Sequence, residues 1–475
     1  MRRSPVVHLV AGSLVVALAA IAGQISRLPS VQTSSVAGGR RVTPTWSMSA
    51  DVQKPVRLIV KARAGTLLGT LMNELFNPGP FADTTPGPQG SAIHPFASLA
   101  GMGVVDFGTP AMANVALERL RRDPRVEYAE LDGLWHVDTV ARPNDARYPE
   151  QWGLENTGQP VAGLPGGVPG VDIDARTAWG VTHGSDDVIV AVIDSGIDAD
   201  HEDLRDNLWT NAREIPGNGV DDDRNGVVDD VHGFNAIDRS GNPDDDMGHG
   251  THVAGIIGAV GGNGVGVSGV NWTTRIMPLK FLGASGGGTT SDAIACIDYL
   301  VAMRNRGENI RVVNCSWGST ERSRALEDAI ETAAREQILF VCASGNDGVN
   351  TDQVPHFPSS DESDAVVSVA ALGPDETLAS FSNWGAESVD IAAPGVEILS
   401  TLPNGQYGFA SGTSMAAPFV TGVAALVVSG APNLKDGTLR DRLLKHSTAV
   451  GTFSGKLLSG GRLSGSLAVT AETGR

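Results

Sequence analysis

Cysteine is scarce in this sequence: the 475 residues contain only Cys296, Cys315 and Cys342. No two of them stand in the C-x-x-C spacing of thiolate metal sites, which excludes a site of that type. Cys315 and Cys342 lie in apolar, strand-like runs, which predicts buried thiols, because a free cysteine packs as a small hydrophobic residue. The odd count leaves at least one thiol outside any intrachain disulfide. The alternative to three buried, free thiols is one disulfide that includes Cys296.

Aromatic residues are also few, at 5% of the chain, whereas glycine reaches 59 residues and hydrophobic residues reach 41%. This amount of apolar material is enough for one large core and a small additional domain. The mixture is typical of α/β proteins with many tight loops, and it excludes a disordered or fibrous chain.

Positive charge is scarce beyond the first third of the chain. Residues 1–140 hold 13 basic and 10 acidic side chains, whereas the remainder holds 22 basic and 44 acidic ones, within a net charge of −19. An acidic surface repels phosphates, so the sequence argues against nucleic acid as a partner. The same acidity favours solubility and the binding of cations.

The N-terminus has the pattern of an export signal. Arg2 and Arg3 precede an almost wholly apolar run, from Val6 to Gly23, that ends in the small residues Ala-Ala-Ile-Ala-Gly. We expect a signal peptide at residues 1–26 and a secreted, extracellular protein; no cysteine follows that could carry a lipid anchor. The alternative is a membrane anchor that stays uncleaved, because about 20 apolar residues can span a bilayer.

A polar linker at residues 27–50 separates this signal from a small α+β module at residues 51–140. Asp123-Pro124 ends a helix there, because proline cannot continue one. The elements predicted for the module are strands at Val56–Lys61 and Val126–Leu131, helices at residues 65–76 and Ala111–Arg122, and a Pro- and Gly-rich loop at residues 77–95.

The main domain, residues 145–470, contains long β-branched runs. Such runs suit strands that are buried on both faces, as in a parallel sheet. The fold class predicted is therefore α/β, a three-layer fold with a central parallel sheet and with its site beyond the carboxyl ends of the strands. No further domain is expected after it. The predicted elements are strands at Val188–Ile193, Ile276–Phe281, Arg311–Cys315, Leu339–Ala343 and Val366–Ala370, and helices at residues 291–304, 414–429 and near 461–470.

Three segments of the main domain carry residues suited to nucleophilic catalysis. The run V-I-V-A-V-I-D-S-G ends a strand at Asp194, M-G-H-G-T-H-V-A-G starts a helix at His249, and S-G-T-S-M-A-A-P opens an apolar helix at Ser414. A serine hydroxyl becomes a nucleophile when an imidazole takes its proton, and a buried carboxylate holds that imidazole in the right tautomer. Each residue alone is more often a cap, so the evidence lies in the three together.

The order Asp, His, Ser and the residues around each of them closely resemble the signatures of the subtilisin-like serine protease (subtilase) family, for which this order of the triad is well known. The resemblance covers about residues 148–470. A fourth segment, F-V-C-A-S-G-N-D-G, is similar to the family's oxyanion motif and implies that Asn346 and the N–H of Ser414 stabilise the oxyanion. The resemblance implies a subtilisin-like fold and a serine endopeptidase that acts through an acyl-enzyme.

Residues 120–130, L-R-R-D-P-R-V-E-Y-A-E, are similar to the propeptide pattern of the same family. The resemblance implies that residues 51–140 are an inhibitory propeptide that assists folding and blocks the active site of its own chain. Autoprocessing would then fall between about Gly133 and Asp145. A small α+β module without that role is the alternative.

Two other segments resemble the edges of the family's substrate cleft. Ser316, Trp317 and Gly318 form one edge, and residues 282–288, which include Gly286 and Gly287, form the other. Exposed backbone at both edges would pair with an extended polypeptide substrate. The resemblance also implies a pocket for the residue before the scissile bond, with walls at Ser316–Gly318 and at Ala343, Ser344 and Gly345. His356 would lie at the floor of this pocket or, alternatively, on the surface.

An acidic loop at residues 221–230, D-D-D-R-N-G-V-V-D-D, is typical of calcium binding. Asp221, Asp223, Asn225 and Asp229 stand at positions 1, 3, 5 and 9 of an EF-hand-like loop. His232 replaces the glutamate of position 12, so the pattern predicts a calcium loop but not an intact EF-hand. Five acids in ten residues would repel one another without a cation, and a solvated acidic loop is the alternative.

A second calcium site is implied by the resemblance alone, with Asp203 and Asn263 as its side-chain ligands. This part of the chain is one residue longer than in the subtilisin type. The remaining implied oxygens belong to the carbonyl groups of Val260, Val265 and Val267 and to the side chain of Gln151.

These features together predict a secreted, calcium-stabilised serine endopeptidase that acts on polypeptides and is a monomer. A non-catalytic binding protein that keeps the fold is one competing prediction, and the four intact catalytic positions argue against it. A second competing prediction is a processing protease dedicated to one partner. No extra C-terminal domain is expected in this chain, and this argues against a dedicated processing protease.

Overall fold

The computed structural model describes residues 57–76, 93–107, 110–132, 142–434 and 436–471. The predicted signal peptide, the linker and most of the segment where autoprocessing is expected lie outside these residues. The chain divides into two compact units, Met1–His136 and Val137–Arg475, and each is described by itself.

Among its described residues, the first unit is an antiparallel sheet of four strands with two helices on one face. Leu58, Val60 and Ala62 alternate along its first strand and are buried, because every second side chain of a strand points to the same face. The elements are β1 (Arg57–Ala62), α1 (Leu68–Phe76), β2 (Ile93–Pro95), β3 (Met102–Asp106), α2 (Pro110–Arg122) and β4 (Val126–Leu131), in the sheet order β2-β3-β1-β4.

One prediction for this unit is wrong in part. The loop predicted at residues 77–95 includes a strand at its end, because Ile93–Pro95 pairs with β3. Residues 77–92 lie outside the described part of the chain. The two predicted helices and the two predicted strands are present, and the first helix begins at Leu68 because Gly65, with φ of 88°, forms a turn before it.

The second unit is built around a nine-stranded, mainly parallel sheet, with a separate hairpin of β12 and β13. The sheet order is β14-β15-β11-β10-β9-β8-β5-β7-β6. The elements are α3 (Ala175–Trp179), β5 (Gly184–Asp194), β6 (Phe234–Asn235), α4 (His249–Gly258), β7 (Thr273–Lys280), α5 (Thr290–Asn305), β8 (Ile310–Cys315), α6 (Arg324–Arg335), β9 (Leu339–Ala343), β10 (Val366–Leu372), β11 (Ile391–Pro394), β12 (Ile398–Leu402), β13 (Gln406–Ala410), α7 (Thr413–Gly430), α8 (Asp436–Lys445), β14 (Thr448–Ala449), β15 (Gly461–Arg462) and α9 (Gly465–Thr470).

Strand β5 shows why this unit has three layers. Val190 and Val192 point into the core beneath α4 and α7, whereas Ile189 and Ala191 point into the core beneath α5 and α6. Because both faces are covered by helices, the strand needs apolar residues at every position rather than at every second one. The predicted fold class is confirmed.

Two parts of the second unit differ from the predicted elements. The helix predicted near residues 461–470 is a short strand followed by α9, because Ser464 is extended and caps the N–H of Leu467. Helix α6 was not predicted, although its pattern was readable. Its buried residues Leu326, Ile330 and Ala333 recur at helical spacing.

Of the described helices, α7 alone is long and apolar enough to cross a membrane, and 83% of its apolar window is buried inside the unit. That burial is typical of a central core helix. Pro418 lies within α7 and has no N–H, so the carbonyl oxygen of Ser414, four residues earlier, lacks its helical donor.

All three cysteines are buried and free. This confirms the prediction of buried thiols, and the alternative of a disulfide at Cys296 is wrong. Cys315 and Cys342 are register partners on β8 and β9. Burial raises the pKa of the Cys296 and Cys315 thiols well above their ordinary value, which keeps them protonated and unreactive.

Candidate active site

Asp194 is the last residue of β5, and its carboxylate is fully buried. Its Oδ1 accepts from the N–H of Ser195 and from Nδ1 of His249, each at 2.7 Å. Oδ2 is buried without a partner among the described residues. A carboxylate fixed in this way orients the imidazole and favours a positive charge on it.

His249 begins α4 directly after Gly248, whose φ of 99° turns the chain into the helix. The next residue is glycine for a steric reason: a Cβ at Gly250 would lie 2.1 Å from the carbonyl oxygen of Gly196. Because Nδ1 donates to Asp194, Nε2 is left to act as a base. The carboxylate of Asp194 raises the pKa of His249 above its ordinary value, although burial opposes the shift.

Ser414 is the second residue of α7 and is partly exposed. Its hydroxyl donates to the carbonyl oxygen of Ser316 at 3.0 Å. No hydrogen bond joins Ser414 Oγ to His249 among the described residues, so that contact requires the hydroxyl to turn away from Ser316. Catalytic hydrogen bonds are often long or misaligned before substrate binds.

Asn346 lies in the exposed turn after β9, and the start of α7 orients its amide. Its Oδ1 accepts from the N–H of Thr413 at 2.9 Å and from the Thr413 hydroxyl at 3.0 Å. With the oxygen held there, Nδ2 remains available as a donor. The N–H of Ser414, in the first turn of α7, is a second donor with no helical acceptor.

No sequence motif singled out Asp245, which lies buried beneath the start of α4. Its Oδ1 accepts from the hydroxyl of Ser195 and from the N–H groups of Met247 and Gly248, and its Oδ2 accepts from Thr251. Asp245 therefore ties the residue after Asp194 to the first turn of the helix that carries the histidine, and its charge also raises the pKa of that histidine. It lies four residues before the helix, outside the usual capping positions.

The candidate residues come from four segments that meet at one edge of the sheet. Strands β5 and β9 end there, and α4 and α7 begin there. The structure brings Asp194 to His249 and Asn346 to the start of α7, whereas Ser414 rests on Ser316. Such an arrangement can activate a hydroxyl and stabilise an oxyanion, the two requirements of acyl transfer.

The two segments predicted as cleft edges line one cavity of about 290 Å³. Trp317 is anchored there, because its Nε1 donates to the carbonyl oxygen of Ile193 at 2.8 Å and its ring packs edge-on against Phe281. The lining residues include Leu282, Gly286, Gly287, Gly288 and Thr289 on one side and Trp317, Gly318, Ser319 and Phe357 on the other.

The imidazole of His356 lies between the two segments predicted to wall the adjacent pocket. A Cβ on Gly318 would lie 2.1 Å from its Cε1, and a Cβ on Gly345 would lie 2.9 Å from its Cδ2. Ala343 and Ser344, also predicted here, are buried at the end of β9. Only side-chain-free residues at 318 and 345 leave room for this ring.

The acidic loop forms a carboxylate cluster that differs in part from the predicted set. Asp221 and Asp223 approach Glu214, with ligand oxygens within 4.8 Å of one another. Asp229 does not lie within that distance of them; its two oxygens accept from the N–H groups of Asn218 and Gly219. Asn225 instead donates through Nδ2 to the buried carboxylate of the residue after Asp229.

The cluster has the features of a cation site. Oε2 of Glu214 and Oδ1 of Asp223 are buried without hydrogen-bond partners among the described residues. Unpartnered, buried carboxylate oxygens are costly unless a cation or a proton meets them. Carboxylate oxygens are the ligands that calcium prefers, so the donor set fits this ion.

The second predicted calcium site contains a carboxylate that the sequence did not suggest. Asp203 accepts from Nδ2 of Asn263 at 2.8 Å, and burial raises the pKa of Asp203 to about 6. Asp145 acts on the same carboxylate through its charge, and its own Oδ1 is buried and unpartnered among the described residues. Gln151 does not join them, because its amide pairs with the backbone of Ser268.

The carboxylates of Asp145 and Asp203 suit calcium, whereas Asn263 turns its NH2 toward Asp203 and its Oδ1 toward the N–H of Val265. An ion at this site would need the amide of Asn263 to turn so that its oxygen faces the carboxylates.

The model of the subtilase family matches residues 185–461, which include the candidate residues Asp194, His249, Asn346 and Ser414. Among solved structures, a chain described as "Proteases from Pseudoalteromonas arctica PAMC 21717" has a TM-score of 0.55 and 26% sequence identity. That alignment covers 69% of this chain and 99% of the other.

Several curated proteins are similar over much of the chain. The Extracellular basic protease of Dichelobacter nodosus is 32% identical over 96% of this chain and 76% of that protein. The Thermophilic serine proteinase of Bacillus sp. (strain AK1) is 33% identical over 73% of this chain and 75% of that protein. Subtilisin-like protease 1 of Plasmodium falciparum is 37% identical, but the chain spans only 38% of its length.

Proposed function

Because this chain belongs to the subtilase family of serine peptidases, we propose that it is an endopeptidase whose catalytic triad is Asp194, His249 and Ser414. The observation that carries the proposal is the 2.7 Å hydrogen bond from His249 Nδ1 to a fully buried carboxylate. That bond leaves Nε2 as the free base of the cleft in which Ser414 lies.

In the proposed reaction, the hydroxyl of Ser414 leaves the carbonyl of Ser316 and donates to Nε2 of His249. Nε2 takes the proton as Oγ attacks the peptide carbonyl carbon, and Asp194 stabilises the imidazolium that results. His249 then gives the proton to the leaving amine, which leaves an acyl-enzyme. Water, activated by the same imidazole, hydrolyses the ester and restores the hydroxyl.

Asn346 and the first turn of α7 serve the oxyanion in this proposal. Thr413 holds the amide oxygen of Asn346, so that Nδ2 can donate to the negative charge as it forms. The N–H of Ser414 donates to the same oxygen. Donors fixed before the reaction stabilise the transition state without reorganisation at that moment.

The substrates in this proposal are extended polypeptides. Gly286 and Gly287 of one segment and Trp317 and Gly318 of the other line the same cavity, where a peptide could be added as a strand. Main-chain pairing of this kind accepts many sequences. Selectivity then depends on the pockets beside the added strand.

We also propose that calcium stabilises the second unit. The ion would be held by Glu214, Asp221 and Asp223, and a second ion by Asp145, Asp203 and Asn263. The positive charge of each ion would offset the repulsion among the carboxylates of its site and would meet their unpartnered oxygens.

Secretion and maturation complete the proposal. We propose that residues 51–140 are a propeptide that inhibits the enzyme and is removed by autoprocessing, with a monomeric extracellular protease as the product. The support is twofold: residues 57–131 lie within a compact unit of their own, and one relative is named an extracellular protease. An uncleaved N-terminal anchor is the alternative for localisation.

A fluorophosphonate probe tests the function directly. The exported protein is treated with the probe and analysed by mass spectrometry, beside the Ser414→Ala variant. Ser429→Ala is the matched control, because Ser429 lies on the same helix, where its hydroxyl bonds only within the helix. We expect the label on Ser414, in a chain that begins between about residues 134 and 150.

The variants decide between the proposal and its rivals. Ser414→Ala should stay unlabelled and unprocessed, whereas Ser429→Ala should behave as the wild type does. An unlabelled wild type that binds but does not cut peptides would indicate a binding protein. Normal processing of Ser414→Ala would show that another protease removes the propeptide.

A further inference from the structure

Asn383 is a buried polar residue that the proposed mechanism does not use. Only 1% of its surface is exposed, and it lies between β10 and β11, in a segment that packs beside the turn after β9. That turn, residues 344–349, carries the proposed oxyanion donor Asn346. A buried side-chain amide is costly unless its polar atoms are hydrogen-bonded, so the groups that satisfy Asn383 indicate its role.

The side-chain amide of Asn383 bonds to the turn at three points. Its Nδ2 donates to the carbonyl oxygen of Ser344 at 2.9 Å. Its Oδ1 accepts from the N–H of Asp347 at 3.0 Å and from the N–H of Val349 at 3.1 Å. The main-chain N–H of Asn383 adds a bond to the carbonyl oxygen of Gly345 at 3.0 Å. These four bonds lie on both sides of the proposed oxyanion donor.

The chemistry of these bonds explains why the residue is asparagine. They require one N–H donor and one oxygen that accepts twice, on a short planar group, and a primary amide provides both. An ionised aspartate accepts but cannot donate, and a serine hydroxyl has a single proton and a shorter reach. The fit is close, because a Cβ on Gly345 would lie 2.4 Å from Nδ2 of Asn383.

The turn depends on bonds from outside itself. Gly345 and Gly348 have φ of 100° and 68°, and glycine loses more conformational freedom on folding than any other residue. The segment around Asn383 offsets this loss. The N–H of Gly348 also donates to the carbonyl oxygen of Phe381 at 2.7 Å, and the N–H of Trp384 donates back to the turn.

Two sets of bonds therefore fix the amide of Asn346. Thr413 holds its side-chain oxygen, and Asn383 holds the backbone on either side of it. A donor stabilises the oxyanion only if it is in place before the charge forms. A displacement of about 1 Å can cost about 10²-fold in rate, even when its cause lies away from the reacting atoms.

We propose that Asn383 is a positioning residue for the oxyanion, which acts through Asn346 and does not touch the substrate. This inference rests on the proposed endopeptidase function and on the role of Asn346 within it. It extends the catalytic machinery to the segment between β10 and β11.

A kinetic double-mutant cycle tests the proposal on the processed, exported protein. Asn383→Ser removes the amide from the turn, so it should lower kcat by about tenfold or more and leave KM nearly unchanged. In the Asn346→Ala background, the same change should lower kcat by less than about twofold, because the donor that it positions is already gone. A residue that only supports the fold would lower kcat by equal factors in both backgrounds.

Asn156→Ser is the matched control. Asn156 is also buried, and its amide donates to the carbonyl oxygens of Val171 and Pro374 and accepts from the N–H of Gly158. The loops that it joins carry none of the proposed catalytic residues. Asn156→Ser should therefore lose stability but keep the kcat of the wild type.

A second variant and a count of active sites separate positioning from folding. Asn383→Asp keeps the shape of the side chain and both acceptor bonds but loses the donation to Ser344, so it should show the same pattern with a smaller loss. It decides the question if Asn383→Ser does not fold. The fluorophosphonate probe, allowed to react to completion, counts the active sites of each variant, so that kcat refers to folded enzyme alone.

The outcomes distinguish this inference from the function on which it rests. Failure of the wild type to cleave casein would overturn both. An unchanged kcat in Asn346→Ala would remove Asn346 as the donor, and the role given to Asn383 with it. If Asn346→Ala is slow but the Asn383 variants keep the wild-type kcat, or lose it by equal factors in both backgrounds, the inference alone is wrong.

Discussion

Ser316 and Ser414 exchange two hydrogen bonds across the cleft. The hydroxyl of Ser414 donates to the carbonyl oxygen of Ser316, and the hydroxyl of Ser316 donates to the carbonyl oxygen of Ser414 at 2.8 Å. The second bond exists because Pro418 provides no N–H for that carbonyl. One wall of the cleft is thereby bonded to the backbone of the proposed nucleophile.

Ser316→Ala should destabilise the protein by about 1–3 kcal/mol, because it leaves the Ser414 carbonyl oxygen unmet. Adding Pro418→Ala restores an N–H that can donate to the same oxygen, so the loss should be smaller in that background. Chemical denaturation of the four proteins of this double-mutant cycle, with Ser414 also changed to Ala to prevent self-digestion, measures the coupling. Equal losses in both backgrounds would contradict the role assigned to Pro418.

Activity should fall as the pH drops through the pKa of His249. The proposed base works only when it is neutral, and Asp194 raises its pKa above the ordinary 6.5, so the acid limb of kcat/KM should lie above pH 6.5. Asp194→Asn removes that charge. This variant should move the acid limb to a lower pH. It should also reduce kcat by about 10⁴-fold, because the imidazole is no longer held in the catalytic tautomer.

The pH profile of a peptide substrate checks this second prediction. The exposed carboxylate of Asp200 supplies the control, because Asp200→Asn should leave the limb in place. A wild-type limb well below pH 6, or one that Asp194→Asn does not move, would mean that the carboxylate does not tune the base.

Asn346→Ala should lower kcat by about 10²–10³-fold and leave KM nearly unchanged, because its Nδ2 would contact the oxyanion rather than the substrate carbonyl; this is the effect known for the corresponding donor in subtilisin. Steady-state kinetics with one peptide gives both constants. Asn309→Ala, at the residue before β8 begins, is the comparison and should not alter kcat. A loss confined to KM would assign Asn346 to substrate binding instead.

Acid should destabilise the second unit through His252. This ring is almost fully buried, Nε2 contacts the carbonyl oxygen of Gly408 at 3.1 Å, and burial lowers its pKa to about 4. Because the folded pKa lies below the ordinary 6.5, the unfolded chain binds the proton first, and stability is lost as the pH falls from 6.5 to about 4. The loss from this group should be about 3 kcal/mol.

Urea denaturation across this pH range, in the Ser414→Ala background, measures the effect of His252. His252→Gln keeps a side-chain N–H donor but does not titrate, so its stability should depend less on pH. The exposed His446→Gln should retain the full dependence. Identical slopes for His252→Gln and the wild type would remove His252 as the cause.

The sequence predicted the parts of the fold and of the site that depend on local pattern. Strand β5 is recognisable because both of its faces are buried, and Asp194 is recognisable as the polar residue that ends it. Glu214 was not predictable, since it lies seven residues before the acidic loop and only the fold brings it to Asp221. Asp229 has the spacing of a ligand, but its φ of 52° belongs to a turn in which its carboxylate caps backbone N–H groups.

Chelation of calcium should lower the melting temperature of the mature protein, because a ligand that binds only the folded state stabilises it by about 2.7 kcal/mol at one hundred times its Kd. Glu214→Gln removes one charge from the carboxylate cluster, so it should weaken calcium binding and shrink the difference between melts with calcium and with chelator. The exposed Glu331→Gln on α6 should leave that difference unchanged.

Melting curves of Ser414→Ala proteins whose propeptide has been removed by an added protease exclude self-digestion as the cause. If the chelated and calcium-loaded proteins melt together after long equilibration, neither carboxylate site holds the ion; if Glu214→Gln alone has no effect, the stabilising ion lies with Asp145 and Asp203.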